Sequence, residues 1–441
     1  MPHAPGGLFG LATVFTARRD PIDFFRQHRD AYGDVVQLKL GPFKYIITHR
    51  PSVIQRVFVE NAKNYMKSPL YRGLRPVLGN GLLISEGDFW RKQRRLTQPA
   101  FHRERLEGFV LAMANDARDM CTRLNAIGGE IDAHVEMMRV TLRIAGHTLV
   151  STDLESDAKD IGHAVTVAVE FANIYGLALV QTPLWIPTPL NLRFRRAMRT
   201  LDAMIDRIIE GRRRSNELGS DLLGMLMGSR DENDGGAMNN RQLRDELMTL
   251  ILAGHETTAN LLSWTLWLLA QYPAVEARAR EEVHAALAGR LPTFDDVSKL
   301  SYLRAILDET MRLYPPAWSF ERQAIEEDVA DGYRIKAGTV VGICTYTLHR
   351  DPNFWSEPDV FKPERFLAGA AERTKHSYLP FGAGPRVCIG NQFAIVESVV
   401  VLAVMLQRLN LSLIPGQSVA LEPQVTLRPK PGIQMRVNPR S

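Results

Sequence analysis

A cysteine in a glycine-rich loop is the first feature of the chain that could support chemistry. Cys388 follows Gly382 and Gly384, and it precedes Gly390 and an apolar run with helical spacing. Backbone N–H groups and the dipole at a helix N-terminus stabilise a thiolate, and glycines let the main chain approach a flat ligand closely. Taken alone, such a cysteine is more often structural. A dinucleotide-binding loop starting at Gly382 is excluded, because it needs glycine at position 387 and the chain has Val387.

A second chemical feature is the polar segment 253–260 (AGHETTAN), which interrupts a long apolar helical run. Its His-Glu pair could begin a zinc-protease motif, but that motif needs a second histidine at position 259, where the chain has Ala259. Gly254 weakens the helix, and the Thr257 hydroxyl can donate to the Ala253 carbonyl one turn back. These residues predict a small polar notch. For an isolated Thr-Thr pair, back-bonding within a buried helix would be the expected role.

Two further pairs of residues share a helix face. Glu309 and Arg312 are three residues apart in ETMRLYPP, and Trp90 and Arg94 are four apart. Most Glu–Arg pairs of this kind are solvated and contribute under about 1 kcal/mol. A Trp and an Arg four apart usually form an amphipathic face. Neither pair identifies a site by itself.

The elements that must position these residues are mostly helical. The chain has no fixed-period repeat and no long Pro-, Ser- or Gly-rich tract, so we predict a single domain over residues 1–441, mainly α with small β-sheets. A central helix of about thirty residues would be roughly 45 Å long and would end at Pro273. Periodicity predicts helices over 105–124, 192–214, 243–270, 274–287 and 394–409, and strands over 35–40, 45–48 and 340–344, with weaker strands near Ser412 and Gln434.

Composition and charge narrow the class of protein. The chain is 45% apolar and 23% charged, with a net charge of +5 and scattered basic residues, so it should fold and nucleic acid is not expected as a partner. Three cysteines argue against a disulfide framework and suit a reducing cytoplasm. The apolar run 8–15 precedes its positive charges and is not a secretory signal. Polar residues interrupt the run 247–270, so no transmembrane segment is predicted.

The cysteine loop and the polar notch together resemble the cytochrome P450 family. Residues 253–258 match the oxygen-activation motif [AG]Gx[DE]T[TS] of that family, and WxxxR, ExxR and a PERF-like segment occur in the family's order along essentially the whole chain. The resemblance implies the cytochrome P450 fold, with haem between the long central helix and the helix that follows the cysteine loop. The haem-binding signature FxxGxRxCxG is matched at all five positions, by Phe381, Gly384, Arg386, Cys388 and Gly390.

The resemblance also assigns residues to a haem b group (iron protoporphyrin IX). Cys388 is then the proximal ligand of the iron, where its thiolate favours O–O cleavage by donating electron density. Arginines suit the anionic propionates, and the resemblance places Arg94, Arg322 and Arg386 beside them. Further haem contacts are expected from Trp90, Phe381, Gly382, Gly390, Ala253 and Gly254.

On the dioxygen side, the resemblance implies that Glu256 and Thr257 deliver the protons that dioxygen activation consumes. In family members the ExxR pair is buried and completed by an arginine of the PERF-like segment, so Glu309, Arg312 and Arg365 are expected to brace the haem-binding core. The substrate pocket is expected from Leu82, Leu83, Ala253, Ala317, Trp318, Phe320, Val425 and Thr426, with the bulky Trp318 narrowing the channel.

These assignments predict a haem-thiolate monooxygenase that hydroxylates or epoxidises a lipophilic substrate, either a fatty acid or a terpenoid- or steroid-like molecule. No fused flavin or iron–sulfur sequence is found, so electrons are expected from an external ferredoxin or flavodoxin with an NAD(P)H-dependent reductase. A cytoplasmic monomer is expected. Two alternatives are a haem-thiolate isomerase or dehydratase, which needs no electrons, and a haem-binding sensor without turnover. The Glu256–Thr257 pair favours the monooxygenase.

Overall fold

The computed structural model describes residues 1–4, 11–154, 158–176, 178, 181–215, 219, 221–231 and 235–438. Most of the regular structure in these ranges is helical. In chain order, helices α1 to α16 are Leu11–Arg19, Pro21–Tyr32, Pro51–Gln55, Arg75–Leu78, Gly87–Thr97, Arg103–Ile127, Ala133–Leu149, Ala158–Gly176, Pro189–Ser215, Leu222–Gly228, Asn240–Gln271, Pro273–Leu287, Phe294–Val297, Ser301–Leu313, Thr345–Leu348 and Asn391–Arg408.

The strands are short and form small sheets. In chain order, β1 to β12 are Val35–Leu40, Phe43–Thr48, Tyr65–Lys67, Gly129–Asp132, Ser319–Ala324, Asp328–Ala330, Tyr333–Ile335, Val340–Cys344, Asn410–Leu413, Ala420–Pro423, Leu427–Lys430 and Gln434–Asn438. The five-stranded sheet has the order β1-β2-β8-β5-β3, a three-stranded sheet has the order β4-β12-β9, and β6-β7 and β10-β11 are two-stranded.

The largest sheet joins distant parts of the chain. β1 and β2 form an antiparallel hairpin in which Val35 lies opposite Thr48. β8 pairs in parallel with β2 and antiparallel with β5, with Tyr45 opposite Val340. The strands β1 and β2 are covered on both faces, because Ile46 lies in one buried hydrophobic cluster and its neighbour Ile47 lies in another. Within this sheet β8 separates β5, the strand that carries Arg322, from the N-terminal hairpin.

The long helix α11 runs through the protein between two well-defined ends. At its start, the Asn239 side chain and Gln242 form a reciprocal capping box that satisfies free backbone N–H groups. At its end, α11 stops at Gln271, and Pro273 occupies the first turn of α12. Its 32 residues give a rod of about 48 Å.

The main hydrophobic core is built by helices that pack around α11. Helices α7, α14 and α16 contact α11, and α6 packs against α16. Residues 395–407 of α16 are buried on every side, which explains why this helix is apolar all round. Among the described helices, α16 alone is long and apolar enough to cross a membrane, and 78% of it is buried inside the protein.

The predicted fold class is confirmed, and the predicted elements are present. The five predicted helices correspond to α6, α9, α11, α12 and α16, with ends that differ by at most three residues. The strands over 35–40 and 340–344 have the predicted bounds, the strand over 45–48 begins two residues earlier, and β9 and β12 cover the two weaker predictions.

Candidate active site

The loop before α16 holds Cys388 in a defined turn. The backbone N–H of Cys388 donates to the Phe381 carbonyl at 2.9 Å. Gly382 (φ 73°) and Gly384 (φ 67°) adopt left-handed conformations that favour glycine. A Cβ at position 384 would lie 1.8 Å from the Phe58 carbonyl oxygen, so a larger residue there would displace the neighbouring backbone. The backbone of the loop itself therefore requires these two glycines.

The thiol of Cys388 differs from the two other cysteines. Cys121 and Cys344 are buried, whereas Cys388 is exposed. Even so, the surrounding protein raises the pKa of Cys388 by desolvation, and the Gly390 amide and the charge of Arg94 oppose this only in part. The backbone at the helix N-terminus acts in the expected direction, since the Gly390 amide lowers the pKa, but burial outweighs it for the protein groups alone. A cation bound to the sulfur would stabilise the thiolate, which suits a metal ligand.

Arg386 is fixed beside this loop by three groups. Its guanidinium forms an ion pair with Glu86 and donates to the Ser85 carbonyl at 2.8 Å. The same guanidinium lies 3.8 Å from the centre of the Trp90 ring. Burial lowers the pKa of Arg386 to about 10. The structure thus brings together the predicted haem-contacting residues Trp90 and Arg386.

Three further cations lie near Arg386. Arg94 donates to the Val387 carbonyl at 2.9 Å, and Arg322 donates to a neighbouring backbone carbonyl at 2.8 Å. Burial, followed by the charges of Arg322 and Arg386, holds the pKa of Lys67 well below its ordinary value. Within the described ranges, none of these three cations has a carboxylate within ion-pair distance.

The basic cluster, defined here as Lys67, Arg94, Arg322 and Arg386, fits a doubly anionic ligand. Of its four basic side chains, only Arg386 forms an ion pair with a protein carboxylate, that of Glu86, among the residues that the structure describes. Buried cations are costly unless they are paired, and two propionate groups would bring the local charge close to balance. With the thiol of Cys388 close by, the residues present fit a haem group.

The middle of α11 opens on one side. Ala253 is exposed and Gly254 and Thr257 are half-buried, whereas the neighbouring residues 255, 256 and 258–260 are buried. The Thr257 hydroxyl donates to the Ala253 carbonyl at 2.6 Å, as the sequence predicted. The helix stays continuous, so the notch consists of small side chains. We call the face formed by Ala253, Gly254 and Thr257 the cleft face of α11.

Glu256 points into a buried polar group. Its Oε1 accepts a hydrogen bond from the Thr426 hydroxyl and another from Arg428 Nε at 2.7 Å. Asn260 donates to Thr426 at 3.0 Å. Burial alone would raise the pKa of Glu256, but the charge of Arg428 and the hydrogen bonds from Arg428 and Thr426 outweigh it, so the pKa is lowered. Glu256 is therefore an ionised carboxylate, and Arg428 on β11 keeps it so.

The pH dependence of turnover should report this ion pair. We expect Arg428→Gln to raise the pKa of Glu256, because burial then acts without the opposing charge. Glu256 would be protonated at neutral pH, so kcat should fall there and recover as the pH rises. A kcat–pH profile of the two proteins measures the displacement. Lys430→Gln, an exposed cation on the same strand, is the control, and an Arg428→Gln profile that matches it would show that Glu256 does not titrate through Arg428.

The structure also brings Glu309, Arg312 and Arg365 together. Glu309 and Arg312 are completely buried and share two parallel hydrogen bonds, from Nε to Oε2 at 2.7 Å and from Nη2 to Oε1 at 2.8 Å. Arg365 Nε lies 3.4 Å from Glu309 Oε1. The remaining N–H groups of Arg312 donate to the backbone carbonyls of His349, Pro358 and Val360. The charged groups of Glu309 and Arg312 are thus fully engaged, as buried charges require, whereas Arg365 Nε is within ion-pair distance of Glu309 but forms no hydrogen bond.

The predicted pocket residues fall into several environments. Leu82 is buried, and Leu83, Ala317, Phe320 and Val425 are half-buried. The Phe320 ring lies close to the cysteine loop, because a Cβ on Gly382 would be 3.6 Å from it. Thr426 belongs to the buried polar group around Glu256.

Trp318 does not line a channel, and the expectation that it narrows one is wrong. Its side chain is 9% exposed and packs in the core between the largest sheet and α2, in one cluster with Phe25 and Tyr45. The indole N–H donates to the Gln424 carbonyl at 2.7 Å. Successive residues of an extended chain point to opposite sides, so Trp318 faces the sheet core while half-buried Ala317 and Ser319 face the other way.

Lys67, Glu86 and Arg428 were missed by the sequence analysis. Each lies outside the recognised motifs and is brought to the site by tertiary structure. Lys67 is on β3, Glu86 precedes α5, and Arg428 is on β11. Two are single charged residues on short strands and the third precedes a helix, and an isolated charged residue carries no periodic signal, so the sequence offered no means of finding these three.

A thiol beside a cluster of basic side chains and a long helix with an open polar notch are the features expected of a haem-thiolate protein. The sequence model of the family described as Cytochrome P450 matches residues 2–437, so the chain belongs to the cytochrome P450 family and is an oxidoreductase of the monooxygenase class.

Several curated proteins are similar over most of their length. The chain is 38% identical to cyclooctatin synthase of Streptomyces melanosporofaciens, with 99% of this chain and 95% of that protein covered. It is 33% identical to the cyclooctat-9-en-7-ol 5-monooxygenase of the same organism, with 94% and 90% covered. It is 30% identical to the chloroplastic carotene epsilon-monooxygenase of Arabidopsis thaliana, with 93% and 80% covered.

Proposed function

We propose that this enzyme uses dioxygen to hydroxylate or epoxidise a lipophilic substrate of the terpenoid class. The observation that carries the proposal is the cleft face of α11, where Ala253 and Gly254 leave room beside the Thr257 hydroxyl. Two relatives are named for reactions on cyclooctat-9-en-7-ol and on carotene, which are terpenoid molecules. This favours a terpenoid over the fatty acid that the sequence motifs also suggested.

Haem b, when bound, supplies the chemistry of dioxygen activation and C–H oxidation. Cys388 would ligate its iron through sulfur, and the basic cluster would hold its propionates. The half-buried apolar side chains of Ala317, Phe320 and Val425 would orient a lipophilic substrate and exclude water from the site.

Glu256 and Thr257 are suited to proton management on the cleft face. The Thr257 hydroxyl donates a hydrogen bond to the Ala253 carbonyl at 2.6 Å. Its oxygen can therefore accept a hydrogen bond from a second group in the cleft. Glu256, ionised beside Arg428, can take up a proton when its hydrogen bond to Arg428 loosens. The two residues together would deliver protons to the cleft, while the buried residues around them keep water out of the rest of the helix.

Removing the Thr257 hydroxyl should uncouple reductant use from product formation. With Thr257→Ala we expect the ratio of product to NAD(P)H consumed to fall at least about tenfold, because the hydroxyl that passes protons into the cleft is removed. Hydrogen peroxide should account for the reductant that no longer yields product. Product, reductant and peroxide are measured in the same reaction. Thr257→Ser keeps a hydroxyl and should stay within about twofold of the wild type. Equal coupling in the alanine variant would remove Thr257 from the relay.

A binding panel tests the substrate class. The haem-loaded protein is titrated with diterpenes, fatty acids and steroids while the absorption change that accompanies displacement of water from haem iron is followed. The proposal expects saturable changes with diterpenes at lower concentrations than with fatty acids of similar size. A response confined to fatty acids or to steroids would overturn the terpenoid assignment. A reduced-plus-carbon-monoxide difference spectrum without a thiolate-type Soret band would overturn the haem-thiolate assignment.

We also propose that electrons arrive from a separate ferredoxin or flavodoxin with an NAD(P)H-dependent reductase, acting on a cytoplasmic monomer. Basic residues on the cysteine side, such as Arg91 on α5, would meet an acidic partner. Turnover supported by a reconstituted ferredoxin–reductase pair, and weakened by added salt, supports this. Turnover that needs no reductant would favour an isomerase or dehydratase instead.

A further inference from the structure

Glu246 is a buried carboxyl that the site described above does not use. It lies on α11 seven residues before Ala253 and eleven before Thr257, so at 3.6 residues per turn the three side chains share one face of the helix. Glu246 is 1% exposed. It therefore continues the line of the cleft face towards the start of α11, about 10 Å from Ala253 and about 16 Å from Thr257 along the helix axis.

One oxygen of this carboxyl is engaged and the other is free. The Leu82 backbone N–H donates to Oε2 at 3.1 Å. Among the residues that the structure describes, none forms a hydrogen bond with Oε1. Burial, with a small contribution from the charge of Asp245, raises the pKa of Glu246 to about 8, although the Leu82 N–H opposes it. Near neutral pH the carboxyl is mainly protonated, so it offers an O–H donor without an acceptor.

The loop that covers Glu246 is held by other contacts. The Asn80 N–H donates to Asp245 at 2.8 Å, and Asp245 is paired with Arg244 at 3.0 Å. Gly81 packs so tightly that a Cβ there would lie 2.0 Å from the Thr249 hydroxyl oxygen. The loop therefore stays on α11 without the free oxygen of Glu246. That oxygen has no structural task among the described residues.

We propose that Glu246 binds an oxygen atom of the substrate, a hydroxyl or a carbonyl, at the end of the molecule remote from the oxidised carbon. The free oxygen has no protein partner in the described ranges and is not fully enclosed, so a substrate oxygen would hydrogen-bond to it directly. The inference rests on the proposed function and narrows it: the substrate is a lipophile about 10–16 Å long that already carries one oxygen.

This assignment gives the reaction a place in a sequence of steps. A hydrocarbon skeleton would leave Glu246 without a partner, so the preferred substrate comes from an earlier reaction that installs an oxygen, such as a hydroxylation. The present enzyme then adds a second oxygen at a distance from the first. A site with one buried hydrogen-bonding group discriminates strongly against an analogue that lacks the matching oxygen, because its polar group is then left unpaired.

Equilibrium binding of matched ligands tests the proposal. The haem-loaded wild type and the variants Glu246→Leu, Glu246→Gln and Asp245→Asn are titrated by calorimetry with abietadiene and abietadienol, which differ by one hydroxyl, and with hexadecane and hexadecanol. We expect the wild type to bind the alcohol of at least one pair tenfold or more tightly than its hydrocarbon. Glu246→Leu should abolish that preference and leave hydrocarbon affinity within twofold, whereas Glu246→Gln, which keeps an N–H donor, should retain most of it.

The remaining variant and ligands separate this role from others. Asp245→Asn weakens the loop contact to Asn80 and keeps the Glu246 side chain, but it also removes a charge that contributes to the raised pKa of Glu246. The comparison is therefore made at about pH 6, where Glu246 is protonated in both proteins, and there Asp245→Asn should weaken both members of a pair equally. If Glu246→Leu loses affinity equally for the alcohol and the hydrocarbon, Glu246 merely holds the loop. If the wild type shows no preference for the alcohol in either pair, the proposal is also wrong. If only hexadecane and hexadecanol bind, the proposal of a terpenoid substrate is wrong. The preference for the alcohol within that pair would still test the role of Glu246.

Discussion

Cys388→Ser is expected to abolish monooxygenase activity and to remove the thiolate-type Soret band from the reduced carbon-monoxide spectrum. Serine is nearly isosteric, so the loop should keep its shape, since the hydrogen bond from the residue 388 amide to Phe381 involves backbone atoms. A serine hydroxyl is a far weaker donor of electron density than a thiolate. The basic cluster is unchanged in the variant, so haem content should fall less than activity does.

Cys121→Ala is the matched control for this experiment. Cys121 is buried in the core, and burial raises the pKa of its thiol to about 12, so it has no reactive thiolate. The alanine variant should keep the wild-type spectrum and activity and lose only about 1 kcal/mol of stability through the smaller side chain. A Cys388→Ser protein with a normal carbon-monoxide spectrum would show that another residue ligates the iron.

Arg312→Met should lower the free energy of unfolding by about 3–5 kcal/mol. Methionine fills similar volume but leaves the buried Glu309 carboxylate with only the Lys362 backbone N–H at 2.9 Å and the longer contact to Arg365 at 3.4 Å. It also removes the donors for three backbone carbonyls that Arg312 satisfies. Urea denaturation of the haem-loaded protein, followed by circular dichroism and by loss of the Soret band, measures the change.

An exposed pair of the same chemistry provides the comparison. Arg278 and Glu364 are 2.7 Å apart, but their side chains are 50% and 43% exposed. Arg278→Met should therefore cost less than about 1 kcal/mol. The double variant Glu309→Gln/Arg312→Met removes both buried charges and should recover part of the loss. Equal effects of Arg312→Met and Arg278→Met would contradict a bracing role for the triad.

Residues within compact motifs could be located from the sequence. The cysteine loop, the notch at Thr257 and the Glu309–Arg312 pair lie in short segments whose spacing carries the information, and the structure has each of them as local geometry. Helix α11 was also predictable, because a strong apolar period, an asparagine cap and a following proline agree with one another. Such local predictions hold because the tertiary contacts favour the same structure as the local sequence.

Features that depend on distant segments were not predictable. Arg428 and Glu256 are 172 positions apart and meet only because β11 lies against α11. Trp318 was assigned to the pocket from its place after two prolines, but the direction of its side chain depends on how β5 enters the sheet. The surroundings of Cys388 show the same limit: the helix N-terminus is visible in the sequence, and the desolvation that opposes its effect on the pKa is not.

The imbalance of charge in the basic cluster has a consequence for how the cell makes this protein. The three arginines of the cluster repel one another until a doubly anionic cofactor binds, and two of them, Arg322 and Arg386, add to burial in lowering the charge that Lys67 can carry. Cofactor binding should therefore be a late and necessary step of maturation. When synthesis outpaces the supply of haem, the protein without haem would be destabilised by this repulsion and more prone to proteolysis. The yield of recombinant enzyme should then follow the supply of porphyrin precursor in the culture more closely than the rate of transcription.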